Sequence, residues 1–278
     1  MPPDAWEWDE TLFAGSARYY AQGRMPYPSE LAGTLRDELS LDGTGRLLDV
    51  GCGPGSLTLL LAPLFAEAVG VDPDAGMLAE AEREATRLAV SNAFWVQLRA
   101  EQLPAGLGTF RVATFAQSFH WMERERVAAA VRDMLEPGGA WVHVNATTHE
   151  GVGDAEGLPA PQPPRDAIRE LVRAHLGDAR RAGAGSLPTG PPSGEEDVLR
   201  AAGFPPPRRV EVAGAGIFER SEDDVVASVF SLTSAAPHLF GDRLAEFEAD
   251  LRNLLRATSP ERRFAERQRE IELVIWRT

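Results

Sequence analysis

The stretch Arg46-Leu-Leu-Asp-Val-Gly-Cys-Gly-Pro-Gly55 constrains this chain more than any other. Leu47, Leu48 and Val50 make a short apolar run, and glycines fall at 51, 53 and 55. Ser56 follows, positioned to cap a helix that buries Leu57, Leu59, Leu60 and Leu61. Strand, tight turn and helix N-terminus therefore come in that order. Glycines let the backbone approach a ligand closely, and a helix N-terminus favours a negative group. Asp49 sits two residues before the turn, where its carboxylate can meet a ligand ammonium.

A Gly-rich turn by itself is a weak signal, and the second half of the unit strengthens it. Ala68-Val-Gly-Val-Asp72 reads as the next strand, ending in an acid. Asp72 lies about 20 residues past the turn, the separation at which a second-strand carboxylate meets ribose hydroxyls. A solvated acid at a strand end is the alternative; the order strand, turn, helix, strand, acid favours ribose. The dinucleotide fingerprint wants its third glycine at position 56, where this chain has Ser56, and Pro54 stands inside the turn. An NAD(P)-dependent oxidoreductase is therefore the weaker reading.

The chain's 278 residues suffice for one large α/β domain with insertions and a sizeable core. Its formal charge of -14 disfavours a nucleic-acid or anionic-membrane surface, because phosphate binding needs clustered Lys and Arg. Cys52, the lone cysteine, cannot form an internal disulfide; inside the Gly turn it reads as a small packed thiol rather than a nucleophile. The chain opens without a basic and apolar leader, and no apolar run approaches the roughly 18 residues of a membrane span. A soluble, cytoplasmic protein with no metal site is expected.

Leu48-Asp-Val-Gly-Cys-Gly-Pro-Gly55 resembles motif I of class I S-adenosylmethionine-dependent methyltransferases. The resemblance continues through Gly70-Val-Asp-Pro-Asp-Ala-Gly-Met-Leu78, Arg99-Ala-Glu-Gln-Leu-Pro104, Gln117-Ser-Phe-His-Trp121 and Leu135-Glu-Pro-Gly-Gly139. Ala17-Arg-Tyr-Tyr-Ala-Gln-Gly-Arg-Met-Pro-Tyr-Pro28 looks like the N-terminal segment of small-molecule methyltransferases of type 11, related to the trans-aconitate methyltransferase group. The resemblance covers residues 10–147 well and the remainder loosely. It implies a Rossmann-like α/β sandwich: a seven-stranded, mostly parallel sheet with the last strand antiparallel and helices on both faces. It implies S-adenosylmethionine as cofactor, S-adenosylhomocysteine as product and a small-molecule acceptor.

Site residues follow from the same resemblance. Gly51, Cys52 and Gly53 would line the cofactor, with Asp49 and Asp72 at its ammonium and ribose. Arg24 would pair with its carboxylate, and Tyr19 or Tyr20 would face the sulfonium. Met77 would lie beside adenine, unless it is an ordinary core methionine. Ala100 and Glu101 would reach the adenine ring and its amino group; a carboxylate at 101 also suits the start of a short helix. Gln117, past the fourth strand, would border cofactor and acceptor, since ligands lie beyond the carboxyl ends of parallel strands. His120 is the best-placed titratable group, able to take a proton from a hydroxyl as the methyl group arrives. Packing against Trp121 is its other reading.

One domain is expected over residues 1–278: an N-terminal lid (1–30), a cofactor-binding core (31–150), a helical insertion covering the acceptor (151–203), and strands and helices completing the sheet (204–278). Further strands are expected at 94–98, 110–116, 140–146, 207–218 and 268–277. Helices are expected at 123–135, closed by Glu136-Pro-Gly-Gly139, and at 165–181. His149, in the loop past the fifth strand, is either exposed or faces the acceptor. No Asn-Pro-Pro-Tyr segment follows the fourth strand, which disfavours the amino groups of nucleobases or glutamine; a hydroxyl or carboxyl oxygen is the first expectation, with carbon and nitrogen open. A cofactor-binding protein with another reaction, or none, would keep the same turn and acids.

Overall fold

A computed structural model describes residues 11–152, 157–178 and 194–278, with the backbone of 181–182 and 185–186. Trp6 and Trp8, expected in the lid, lie outside the described residues. The chain enters through α1 (Ala17–Gly23) and α2 (Ser29–Leu39). Then β1 (Arg46–Val50), α3 (Ser56–Leu61), β2 (Glu67–Asp72), α4 (Ala75–Arg87) and β3 (Ala93–Gln97) follow. After β4 (Phe110–Ala116), α5 (Arg124–Met134) leads to β5 (Leu135–Asn145). The inserted α6 (Arg165–Leu176) precedes two short strands, β6 (Arg181–Ala182) and β7 (Gly185–Ser186), and then α7 (Glu195–Ala201). The last part holds β8 (Arg208–Val212), β9 (Ile217–Ser221), α8 (Glu222–Phe230), α9 (Leu244–Thr258), β10 (Arg263–Arg267) and β11 (Ile271–Arg277).

Seven strands form one sheet in the order β3-β2-β1-β4-β5-β11-β8. β1 to β5 pair in parallel, and β11 runs antiparallel to both β5 and β8. This is the expected sheet with its last strand reversed. β1 and β2 are covered on both faces, which is why their sequences read as continuous apolar runs rather than alternations. One core packs Val50, Phe115, Val131, Trp141 and Trp276 around α5 and α7. Another packs Leu31, Leu35, Leu47, Leu57 and Leu273 around α2 and α3. A third, away from the sheet, joins α6, α8 and α9 through Ile168, Val225, Phe230, Phe247 and Leu251.

Four boundaries differ from expectation. The strand expected over 207–218 is two strands: β8 joins the large sheet, and β9 pairs antiparallel with β10. The crossing between them is a tight one, since a Cβ on Gly214 would meet the Gln268 carbonyl at 2.5 Å. Glu136-Pro-Gly-Gly139 is a bulge within β5 rather than a turn before it: Phe110 pairs with Leu135, and Val112 with Ala140. The helix after the Gly turn is capped by Gly55, at φ +77°, and Ser56 is its first helical residue without a capping bond. The inserted helix stops at Leu176 because Gly177 follows at φ +85°. Asp74 caps α4 as an acceptor for the Met77 N–H (2.9 Å), and Ser221 and Asp224 cap α8 reciprocally.

Candidate functional site

The Gly turn leaves β1 and is fastened to β2. The N–H groups of Gly51 and Cys52 donate to the Val71 carbonyl at 2.8 and 3.1 Å. Gly51 and Gly55 are glycines for packing as well as for their positive φ. A Cβ on Gly51 would meet Ser118 at 2.5 Å, and one on Gly55 would meet Trp95 at 2.5 Å. Gly53 differs: at φ +54° a Cβ on it would have no neighbour within 4 Å, so its open side faces free space at the carboxyl end of the sheet.

Two buried carboxylates flank the turn. Asp72 ends β2 and accepts from the Gly53 N–H and the Asp74 N–H, both at 2.9 Å. Asp49 accepts from the hydroxyls of Thr58 (2.6 Å) and Thr114 (2.8 Å). Neither makes an ion pair with a described residue. Burial raises both to about 6, against the hydrogen bonds that favour ionisation. The Cys52 thiol is pushed well above its ordinary value, by burial and then by Asp72 and Asp49.

The space beyond the turn has two connected ends. One is bordered by Asp72, Met77, Ala100, Glu101, Gln117 and Trp121. Met77 is buried there, and Glu101 accepts the Glu123 N–H at 3.0 Å within a short 3-10 turn at 100–102. Phe13 meets Trp121 edge-on at 6.4 Å over this end. The other end is bordered by Arg24, Tyr27, Asp49, Cys52, Ser56 and Thr148. Tyr20, Gly51, Gly53, Ala116 and Gln117 border both. Arg24 donates to the Ser231 hydroxyl (2.8 Å) and carbonyl (2.9 Å), sits 4.5 Å over the Tyr20 ring, and pairs with no described carboxylate. Gln117 holds φ +56°, an unfavourable conformation for a side chain, and Ser118 beside it is tied to the Val50 carbonyl at 2.6 Å.

Two expected residues lie elsewhere. Tyr19 packs on Phe230, with ring centroids 5.1 Å apart, and borders neither end; its neighbour Tyr20 does. Successive residues on a helix point about 100° apart, so one faces α8 and the next the Gly turn. His120 lines a neighbouring cavity with His143, Glu195 and Arg209, which shares Gln117 and Ser118 with the first end, and Trp121 takes the position toward Asp72. Phe13, Tyr27, Trp121, Met122 and Thr148 also border the space beyond the turn, and sequence reasoning did not place them there. For Trp121 the signal was present in Gln117-Ser-Phe-His-Trp121, attached to the neighbouring residue.

A methyltransferase-domain family matches residues 47–139, the stretch that carries the turn, Asp72 and the adenine-side loop. Residues 47–139 are therefore similar to a methyltransferase domain. An uncharacterized methyltransferase of Mycobacterium tuberculosis, Rv3342, is 32% identical over 146 residues, 52% of this chain and 56% of that protein. The chain thus spans about half the length of the relatives it matches. Among solved structures, a putative type II methyltransferase from Anaeromyxobacter dehalogenans is 24% identical with a TM-score of 0.53, covering 91% of this chain and 96% of that one. The N-methyltransferase NodS of Bradyrhizobium japonicum, solved with S-adenosylhomocysteine, is 14% identical with a TM-score of 0.50, covering 96% and 98%. These two share the fold of the methyltransferase domain. The matches support the class I family and leave the trans-aconitate subgroup an expectation.

Proposed function

We propose that the protein transfers a methyl group from S-adenosylmethionine to an oxygen of a small molecule. The observation that carries the reading is Asp72: a buried carboxylate at the end of the second strand, held by the N–H groups of Gly53 and Asp74 and bordering the cavity past the Gly turn. Its remaining lone pairs suit a ribose diol. Met77, Ala100 and Glu101 would flank the adenine, and Asp49, Arg24 and the open face of Gly53 the amino-acid end. Arg24 suits a carboxylate there because it has no carboxylate partner of its own among the described residues.

When bound, S-adenosylmethionine supplies a methyl group on a sulfonium with a neutral thioether as leaving group. The chain's share of the work is alignment and exclusion of water. Phe13, Tyr20 and Trp121 would close the site, and Gln117, strained and rigidly held beside Ser118, would fix the border with the acceptor. His120 remains the candidate base, from the neighbouring cavity that shares Gln117 and Ser118 with this one. Residues 1–30 act as the lid in this reading, and residues 151–203 cover the acceptor. The acidic charge of -14 supports a small molecule over a nucleic acid. No helix among the described residues is long and apolar enough to cross a membrane. Incubation with S-adenosylmethionine and pools of hydroxy and carboxylic acids should give S-adenosylhomocysteine with at least one pool. Binding of the cofactor with no turnover on any pool, amines included, would favour a non-methylating relative.

A further inference from the structure

Beside the amino-acid end of the site lies another cavity, between α6, α8 and the 3-10 turn at 233–235. The two are separated by one wall. Thr148 borders the first and His149 the second, and Arg24 braces the wall through Ser231. The interior of the second cavity is apolar: Ile168, Val172, Val229 and Leu232 line it. Its charge is arranged along α6, whose Arg165, Arg169 and Arg173 stand one turn apart on the face that borders it.

These arginines are not equivalent. Arg165 is spent on Glu266 (2.6 Å) and on the Ser228 hydroxyl (2.9 Å). Arg169 is spent on Glu150 and Asp166. The side chain of Arg173, exposed at the far rim, makes no ion pair or hydrogen bond with a described residue. Asp178, at the same rim, forms no ion pair with it. Arg173 lies two turns from Arg165, roughly 12 Å along the helix at 1.5 Å per residue. Arg165 marks the inner end, where it donates to the His149 carbonyl at 3.0 Å. The His149 ring there makes no hydrogen bond with a described residue. Burial, with Arg24 and Arg165 nearby, lowers its pKa to about 3, so it is a neutral imidazole at pH 7.

We propose that this cavity binds an apolar molecule with one anionic group, its hydrocarbon between α6 and α8 and its charge at Arg173. Its end remote from the anion lies at His149, against the wall shared with the cofactor site. An eight-carbon chain has about the length of the cavity from Arg165 to Arg173, so the probes are octanoate, octan-1-ol and octylamine.

The full-length protein is titrated calorimetrically with each probe and, on the same samples, with S-adenosylhomocysteine. Octanoate should bind about tenfold or more tighter than octan-1-ol, the effect of one charge-assisted contact, and octylamine should bind weakest. Arg173→Ala should bring octanoate down to the level of octan-1-ol, and Val172→Trp should abolish binding of both. S-adenosylhomocysteine affinity should be the same in all three proteins, which also reports that the variants fold. Equal binding of octanoate and octan-1-ol, preference for octylamine, or an Arg173→Ala variant with unchanged octanoate affinity would overturn the assignment. So would a protein that binds S-adenosylhomocysteine and no octanoate. Octanoate binding by a protein with no affinity for S-adenosylhomocysteine would support the assignment and count against the proposed cofactor site alone.

Discussion

At the scale of single residues, the site is governed by what each side chain gives up on burial. Asp49 and Asp72 are each raised to about 6 from an ordinary 3.8, chiefly by burial. The folded state therefore holds protons that the unfolded chain has released between about pH 4 and 6. Their contribution favours folding below pH 4, declines as pH rises through 6, and is flat above. At about 1.4 kcal/mol per unit, each ionised carboxylate costs the empty protein on the order of 2–3 kcal/mol at pH 7. Asp49→Asn should raise the melting temperature at pH 7 by several degrees and leave it nearly unchanged at pH 4. Thermal melts of both proteins across that range check it; a variant less stable at pH 7 would contradict the sign. The same scale shows why sequence leaves two adjacent pairs open. Tyr19 and Tyr20, like His120 and Trp121, are chain neighbours, and local sequence does not say which of an adjacent pair turns toward a ligand. Asp72 was legible because its position depends on the length of one strand–turn–helix–strand unit, which sequence does carry.

At the scale of elements, the unit from β1 through β2 was readable because each part is specified locally: an apolar run, glycines at 51, 53 and 55, a leucine-rich helix, a second run. The split of residues 207–218 was not, because alternating apolar residues report that a strand forms and not which sheet it joins. Within the turn, the glycines have separable roles. Gly55→Ala must displace Trp95 as well as adopt positive φ, and should cost about 2–4 kcal/mol of stability. Gly53→Ala has open space and bears only the conformational cost of about 1–2 kcal/mol. Its methyl group stands in the proposed cofactor path, so binding should fall further than stability. Melting curves with S-adenosylhomocysteine titrations separate the two; a Gly53→Ala protein of normal affinity would move the ligand away from the turn.

At the scale of the whole molecule, the N-terminal helix is built into the structure. A Cβ on Gly23 would meet the Ala227 backbone at 2.4 Å, and Arg220 binds the Gly23 carbonyl while pairing with Glu266. Glu266 also holds Arg165 and the Gly151 N–H, so α1, α6 and the β9–β10 pair meet at one buried carboxylate. Burial alone would raise Glu266, and its bond to Arg165 and the charge of Arg220 hold it below its ordinary value instead. The contacts of Arg165 with Glu266 and of Arg220 with Gly23 join residues more than a hundred apart and leave no local motif, which is why the packing of α1 and α6 was the least legible part. The central claim, that the Gly turn and Asp72 form an S-adenosylmethionine site, is tested most directly by calorimetric titration of wild type and Asp72→Ala with S-adenosylmethionine, S-adenosylhomocysteine and NADH. Wild type should bind both sulfur nucleosides at micromolar levels and not NADH, and Asp72→Ala should lose about 1–3 kcal/mol of that affinity. NADH binding in preference to the sulfur nucleosides, or an Asp72→Ala protein of unchanged affinity, would contradict it.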